Sequence, residues 1–232
     1  MSTAWQHTVL VDGAQVEVCR VGDTIEVSGQ DTRRYQVING LCRRCSHPSV
    51  SGNTCSTCCD WKGLERVVAM GKYVPRNRRT DDDLLDLSED LWNAKRDRSL
   101  SLLLGAVLAA FVENEHPMLL RYSVVTTVPS FEPPGHTEYL LEAFCYNTSH
   151  DGCRTDLLTK TMDISLTGKP RDRRRELAPR IYHAGLGQVS HGSTVLILDD
   201  ILTDGATMDR CASVLREMGA SRVVGLVVAR TV

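Results

Sequence analysis

The segment from Thr194 to Thr207 constrains the fold more than any other part of the chain. It begins with an aliphatic run, Val195 to Leu198, which ends at the adjacent carboxylates Asp199 and Asp200. Such a run is typical of a parallel strand that is buried on both faces of a sheet. From Ala206 to Met218 the apolar residues recur with a helical period. The order of strand, turn and helix therefore predicts an α/β fold with a ligand crevice at the end of this strand.

The turn between this strand and this helix is a candidate phosphate site. A helix N-terminus offers unpaired backbone N–H groups and a partial positive charge, and both favour a bound phosphate. Asp199 and Asp200 would reach sugar hydroxyls or a hydrated Mg²⁺. The best-fitting ligand is a sugar phosphate, and the alternative is a strand–turn–helix unit that binds no ligand. The residues expected to hold the phosphate are Thr203, Asp204, Gly205, Ala206 and Thr207.

The same segment resembles the phosphoribosyl pyrophosphate signature of type I phosphoribosyltransferases. That signature runs as four apolar residues, two acids, two apolar residues and a Thr-Thr-Gly-x-Thr type loop. One position departs from it, because Asp204 stands where that family usually has Thr or Ser. A fixed negative charge beside a bound phosphate opposes binding. Two interpretations stay open: either the site is weakened, or the Asp204 side chain points away from the ligand.

Length and charge set broad limits. A chain of 232 residues allows one sizeable domain with an appendage, or two small domains. A formal net charge of −2 excludes a globally basic nucleic-acid binder. The first residues lack a basic region followed by an apolar one, and the longest mostly apolar segment, residues 100–112, is too short to cross a bilayer. We expect a cytoplasmic protein without membrane insertion.

Four of the nine cysteines form two Cys-x-x-Cys pairs that indicate a zinc site. The pairs are Cys42 with Cys45 and Cys55 with Cys58. Four thiolates can surround zinc tetrahedrally, and this closed coordination favours a structural role over a catalytic one. A redox pair and incidental buried cysteines are the alternatives, and His47 and Cys59 are spare candidates for the fourth ligand.

Four regions are predicted along the chain. Residues 1–40 alternate β-prone runs with turn signals such as Asp12-Gly13 and predict an antiparallel β meander. Residues 41–64 form the zinc ribbon or knuckle, residues 65–80 a linker, and residues 81–232 the α/β domain. The elements expected in this last region are a helix from Asp82, a helix over 100–113 capped by Ser99, a strand over 122–128, a helix over 137–146, and strands over 157–162 and 222–230.

Two basic regions have alternative interpretations. After Thr167-Gly168, Pro170 is expected to open a helix that carries a cationic flap for pyrophosphate, and the alternative is an exposed basic helix. Residues 43–79 are also rich in Arg and Lys, with Trp61 available to stack on a nucleic-acid base, although a solvated face is the favoured interpretation. The flap residues are Lys169, Arg171, Arg173, Arg174 and Arg175.

With the cysteine pairs included, most of residues 41–232 resembles the ComF family of competence-associated, phosphoribosyltransferase-like proteins. The resemblance is carried by both cysteine pairs and by residues 91–95, 124–129, 167–175 and 195–207. It implies a type I phosphoribosyltransferase-like parallel sheet with flanking helices and a phosphoribosyl pyrophosphate site with Mg²⁺. It also implies a link to nucleotide metabolism or to DNA uptake, with single-stranded DNA or DNA-uptake proteins as partners. The ribose diol and metal role falls to Asp199 and Asp200, and the 5′-phosphate role to Thr203, Gly205, Ala206 and Thr207.

A second departure from the ComF pattern concerns the loop at residues 129–135. That family tends to have basic residues after the Val-Pro of the first core strand, whereas this loop has none. Two functions therefore stay open. The chain is either a phosphoribosyltransferase, which acts on a phosphoribosylated small molecule, or a non-catalytic zinc-containing adaptor in DNA handling that keeps the fold.

Overall fold

The computed structural model describes residues 4–29, 32–40, 42–48, 55–80, 84–166 and 168–232. Its N-terminal part is the antiparallel meander that the sequence predicts. The first turn has both central residues, Asp12 and Gly13, at positive φ (48° and 79°), as a two-residue hairpin requires. The four strands pair in sequence order, and they are β1 (Trp5–Val11), β2 (Ala14–Val21), β3 (Thr24–Val27) and β4 (Arg33–Gln36).

The rest of the described chain alternates strands and helices. In chain order these are β5 (Arg66–Tyr73), α1 (Asp86–Ala94), α2 (Arg98–Glu115), β6 (Val124–Thr127), α3 (His136–Thr148), β7 (Leu158–Lys160), α4 (Arg171–Ile181), β8 (Tyr182–Ala184), β9 (Thr194–Leu202), α5 (Ala206–Glu217) and β10 (Arg222–Thr231). Four strands form a parallel sheet in the order β5-β10-β9-β6, while β7 and β8 form a separate antiparallel pair. The predicted α/β architecture is confirmed.

Both faces of the parallel sheet are covered, as the aliphatic run of β9 predicts. Successive side chains of a strand point to opposite faces. Accordingly, Leu196 and Leu198 belong to the core shared with α2, whereas Val195 and Ile197 belong to the core shared with α5. All four are fully buried, and burying a side chain of this size contributes about 1.5–3 kcal/mol. The carboxylates that follow are thereby held at the C-terminal end of a rigid strand.

The helix expected over residues 100–113 is longer than predicted and has a different cap. It is α2, in which every residue from Ser101 to Val112 is buried. The predicted cap at Ser99 is wrong, because the side chain of Asp97 accepts a hydrogen bond from the Ser99 N–H at 2.9 Å. Both residue types favour the N-cap position, and the structure selects the earlier one. The preceding helix, α1, begins at Asp86, and residues 81–83 lie outside the described part.

Residues 65–80 are not the predicted linker. Residues 66–73 form β5, which lies at one end of the strand order in the parallel sheet and pairs with β10. The apolar run from Val67 to Met70 is buried there. The meander joins the same strand, since the Ile38 N–H donates to the Met70 carbonyl at 3.0 Å. The strand was missed because its sheet partner comes from a distant part of the chain.

A disulfide between Cys145 and Cys153 joins the C-terminal part of α3 to the segment before β7. The sequence analysis did not predict it.

None of the helices formed by the described residues combines the length and the apolarity that crossing a bilayer requires.

Candidate functional site

A cavity of about 840 Å³ opens at the C-terminal edge of the parallel sheet. Asp199, Asp200 and the whole turn from Thr203 to Thr207 line it. The structure thus brings together the carboxylates and the turn that the sequence singles out. The lining also includes residues that the sequence analysis did not assign to the site, among them Lys95, His136, Lys160 and Tyr182.

The two aspartates occupy different electrostatic environments. The Nε2 atom of His136 lies 3.0 Å from Asp200 Oδ2, and the Nζ atom of Lys95 lies 3.7 Å from the same oxygen. Burial opposes ionisation of Asp200, but the hydrogen bond from His136 and the charges of His136 and Lys95 hold its pKa below the ordinary value. Burial and the charge of Asp200 raise the pKa of Asp199 well above the ordinary value. The ionised form is therefore favoured at Asp200 and disfavoured at Asp199.

Asp204 points into the site, so the interpretation that its side chain turns away from the ligand is wrong. Its residue is 7% exposed, and its Oδ1 atom accepts a hydrogen bond from the Ala206 N–H at 3.1 Å. Its Oδ2 atom forms an ion pair with Arg174 Nη2 at 3.1 Å. The geometry of this contact is not that of a hydrogen bond, and Oδ2 accepts none from the residues that the structure describes. The carboxylate therefore occupies one of the N–H groups that a phosphate would use at the start of α5.

The turn itself requires a glycine. Gly205 precedes α5 with φ at +80°, in the left-handed region that residues with a Cβ rarely adopt. A Cβ at this position would lie 2.5 Å from the Cζ2 atom of Trp61. Both the backbone conformation and the packing of the indole ring therefore exclude a side chain here.

The predicted arginine flap is the first part of α4, which begins after Pro170, but most of its cations do not face the cavity. Arg171 and Arg175 both bind Asp60, with Nη–Oδ2 distances of 3.2 and 2.6 Å. Arg173 pairs with Glu176 on the same helix. Only two of the five predicted flap residues, Lys169 and Arg174, line the cavity. Two of the five cations therefore attach α4 to Asp60, and two others line the cavity.

The loop at residues 129–135 is filled by a carboxylate of the chain itself. Glu138, in the first turn of α3, accepts hydrogen bonds from the Ser130 N–H at 2.8 Å, the Ser130 hydroxyl at 2.7 Å and the Gly135 N–H at 3.0 Å. These are donors that an anionic ligand would otherwise use. The loop thus lacks basic residues, and its hydrogen-bond donors at Ser130 and Gly135 are already used by the carboxylate of Glu138.

The four predicted cysteine ligands come together. Cys42, Cys45, Cys55 and Cys58 are buried or nearly so, and their sulfur atoms lie within 4.8 Å of one another. Three of the sulfur pairs lie 3.3 to 3.7 Å apart. Tetrahedral zinc with Zn–S bonds of about 2.3 Å places its sulfur ligands about 3.8 Å apart, so the cluster fits this metal. Cys59 is exposed and outside the cluster.

A buried arginine supports a metal at this cluster. Arg230 is 1% exposed, and its Nε and Nη1 atoms have no hydrogen-bond partner within the described ranges. Burial raises the pKa of Cys45, and the charge of Arg230 acts in the opposite direction. Burying a cation is costly unless an anion lies near it. Zinc bound by four thiolates is a net anion, which would compensate Arg230.

The segment of residues 55–64, which contains the second cysteine pair, contacts the candidate phosphate turn and the helix that follows it. The indole Nε1 of Trp61 donates to the Asp204 carbonyl at 3.0 Å. Trp61 is 5% exposed, so the interpretation that it stacks on a nucleic-acid base is wrong. Asp209, in the first turn of α5, accepts the backbone N–H groups of residues 62–64 at 2.9 to 3.1 Å. No sequence motif identified these contacts, because the partners are far apart in the chain.

Comparisons with known proteins add little to this description. No protein-family model and no curated protein matches the chain. One similar solved structure is that of the allosteric regulatory enzyme of purine biosynthesis, with a TM-score of 0.37 and 17% identity over 90% of this chain and 36% of that one. Another is the glutamine phosphoribosylpyrophosphate amidotransferase from B. subtilis complexed with ADP and GMP, with a TM-score of 0.38 and 18% identity over 90% and 37%. The chain spans little more than a third of either protein, and TM-scores of this size carry no inference about ligand or activity.

Proposed function

We propose that the chain binds a ribose 5-phosphate group at the C-terminal edge of its parallel sheet, as part of phosphoribosyl pyrophosphate or a related phosphoribosylated molecule. One observation carries the proposal. The carboxylates Asp199 and Asp200 and the N-terminus of α5 share one wall of a cavity large enough for a sugar phosphate. Carboxylates suit the ribose hydroxyls, and the helix N-terminus suits the phosphate.

The residues divide into two groups by the part of the ligand that they would contact. The backbone N–H groups of Gly205 and Thr207 would donate to phosphate oxygens, with the hydroxyls of Thr203 and Thr207 beside them. The Ala206 N–H would join them once Asp204 releases it. Arg174 would contribute its Nε atom, which is buried and without a hydrogen-bond partner among the described residues. A guanidinium with an unused donor at a phosphate site is the expected partner for an anion.

Asp199 and Asp200 would accept hydrogen bonds from the ribose hydroxyls and supply oxygen ligands to Mg²⁺. Mg²⁺ prefers carboxylate oxygens and usually keeps several waters, and two neighbouring carboxylates fit this preference. When bound, Mg²⁺ would neutralise charge on the pyrophosphate. Lys95 and His136 favour the ionised form of Asp200 that a Mg²⁺ ligand requires. A bound Mg²⁺ would oppose the effect of burial and of Asp200 on the pKa of Asp199, whose ionised form would then supply the second carboxylate.

Transferase activity is the first of two candidate functions for a protein with such a site. Transfer of ribose phosphate needs positioning and charge stabilisation and no side-chain nucleophile. The second candidate is a zinc-containing protein that binds the ligand without transferring it, and Glu138 favours this candidate. Its carboxylate uses the donors of the 129–135 loop, where the ComF resemblance would place pyrophosphate. The link to DNA uptake rests on that resemblance alone.

Calorimetric titration with ribose 5-phosphate and phosphoribosyl pyrophosphate, with and without Mg²⁺, tests the proposal. Replacing Asp200 with asparagine should weaken Mg²⁺-dependent binding by about tenfold or more, because the ionised carboxylate is lost, and this corresponds to about 1.4 kcal/mol. Asp151→Asn is the control, since Asp151 is exposed and does not line the cavity. No binding of either ligand to the wild type would rule out the proposed function. Pyrophosphate release in the presence of a panel of bases separates the two candidates.

Replacing Asp204 with threonine should raise the affinity for ribose 5-phosphate by about tenfold or more. The change removes the carboxylate that now accepts the Ala206 N–H, and it frees Arg174 for the ligand. Asp204→Asn is the matched variant, because it removes the charge and keeps an oxygen that accepts from Ala206. The same titration measures both variants, and unchanged affinity in both would show that Asp204 does not compete with the phosphate.

A further inference from the structure

We propose that Trp61 is a positioning residue of the phosphate turn, and that through Trp61 the four-cysteine module controls ligand binding at residues 203–207. The module is defined here as residues 42–48 and 55–64. The inference rests on the proposed function only in taking residues 203–207 as the phosphate site. Its structural part, the dependence of the turn on Trp61, can be tested without any ligand.

Trp61 contacts the turn at its two most constrained positions. Its indole N–H donates to the carbonyl of Asp204 at 3.0 Å, which fixes the orientation of the peptide that leads into Gly205. Its ring fills the space where a Cβ of residue 205 would lie, 2.5 Å from Cζ2. Gly205, in the left-handed conformation, immediately precedes α5, and residues 203–207 line the cavity. Trp61 is therefore the side chain that holds the turn in its binding conformation.

A second contact fixes the module to α5 directly. The carboxylate of Asp209 accepts the N–H groups of Lys62, Gly63 and Leu64. Hydrogen bonds from backbone donors to an ionised acceptor are stronger than those between neutral groups. The N–H of Asp209 itself donates to the Gly205 carbonyl at 2.8 Å. Residues 61–64 and the first turn of α5 therefore form one hydrogen-bonded unit.

The same residues are connected to the cysteine cluster. The Trp61 N–H donates to the carbonyl of Cys58 at 3.3 Å. Arg44, which lies between Cys42 and Cys45 in the sequence, donates from Nη2 to the carbonyls of Trp61 at 2.7 Å and Leu64 at 2.9 Å. Both cysteine pairs thus hold residues 61–64 in place. A metal that fixes the cysteines would also fix Trp61 against the turn.

This arrangement predicts a reciprocal coupling between metal and ligand. If metal binding at the cysteines favours the binding conformation of the turn, then ligand binding at the turn must favour retention of the metal by the same factor. A tryptophan that serves only as a core residue would affect stability without producing this coupling. The coupling therefore distinguishes a positioning role from a structural one.

The experiment compares Trp61→Phe with Trp5→Phe. Both substitutions remove one indole N–H donor and keep an aromatic ring. Trp5, however, is a residue of the meander that donates to Glu115 Oε1 of α2 at 2.6 Å, and it does not line the cavity. Three quantities are measured on the zinc-loaded full chain. They are amide hydrogen exchange at residues 205–207 without ligand, the affinity for ribose 5-phosphate, and the rate of zinc release to a chromophoric chelator with and without ribose 5-phosphate.

Trp61→Phe should retain zinc, exchange the amides of residues 205–207 about tenfold faster, and bind ribose 5-phosphate about tenfold more weakly. In the wild type, ribose 5-phosphate should slow zinc release, and in Trp61→Phe it should slow it less, because only the Asp209 contact then connects the module to α5. Trp5→Phe should behave as the wild type in all three measurements. Unchanged exchange in Trp61→Phe, or equal changes in both variants, would overturn the proposal.

The exchange measurement separates this inference from the proposed function. If the wild type binds no ribose 5-phosphate, the proposed function fails, while faster exchange in Trp61→Phe still supports the positioning role and unchanged exchange still overturns it. Should Trp61→Phe fail to fold, Asp209→Asn replaces it, since this variant weakens the same unit without touching the indole. Its matched control is Asp172→Asn, an exposed aspartate in the first turn of α4. Asp209→Asn should raise exchange at residues 205–207, and Asp172→Asn should not.

Discussion

Replacing Cys45 with serine is expected to abolish zinc binding at the cysteine cluster. The four sulfur atoms lie within 4.8 Å of one another, near the separation of about 3.8 Å that one tetrahedral zinc ion requires, and each would supply one quarter of its coordination shell. Structural zinc contributes about 10–16 kcal/mol in isolated zinc-finger peptides, so the loss of one ligand removes several kcal/mol from metal binding. Metal analysis of protein purified without added zinc should find one ion per wild-type chain and almost none in the variant.

Cys59→Ser is the matched control for this prediction. Cys59 is adjacent to Cys58 in the sequence, yet it is exposed, and its sulfur contacts the Ser56 carbonyl and Asp60 instead of the cluster. The control variant should keep its metal. A wild-type protein that is well folded and free of metal would contradict the prediction, as would equal metal loss in the two variants.

Replacing Gly205 with alanine is expected to destabilise the protein by about 2 kcal/mol or more and to abolish binding at the turn. A side chain in the left-handed conformation costs roughly 1–2 kcal/mol on its own. The new Cβ would also lie 2.5 Å from the Trp61 ring, so the ring or the turn must move. Thermal unfolding measures the first effect, and titration with ribose 5-phosphate measures the second.

Gly192→Ala isolates the contribution of the indole contact. Gly192 has a similar φ, +86°, but an added Cβ there meets nothing within 4 Å. This variant should show only the conformational cost and should bind ribose 5-phosphate as the wild type does. Equal destabilisation by the two substitutions would mean that Trp61 moves aside without cost.

The parts of the fold that follow from local pattern were predictable. The aliphatic run of β9, its terminal carboxylates and the helical period after Ala206 specify a strand, a turn and a helix without reference to the rest of the chain. The spacing of the two cysteine pairs likewise predicts the cluster that the structure forms. The meander follows from β-prone runs between turn residues such as Asp12-Gly13.

The parts that depend on distant partners were not predictable. Residues 65–80 looked like a linker because basic residues surround the short apolar run of β5, and the strand β10 that buries this run is far away in the sequence. His136 and Lys95 meet Asp200 only in the folded protein. The arginines after Pro170 are recognisable as cations, but the sequence does not show that Asp60 forms ion pairs with two of them.

During synthesis, β5 emerges from the ribosome long before the strand that pairs with it. Its neighbour in the sheet is β10, so its ladder partners do not exist until residues 222–231 have been made. Unpaired strand edges in nascent chains readily associate with other chains. Thr231 of β10 also lines the cavity, so the site is likewise incomplete until β10 has been made. We therefore expect the nascent chain to depend on chaperones that shield β5, and shortened chains that lack β10 to aggregate rather than retain partial binding.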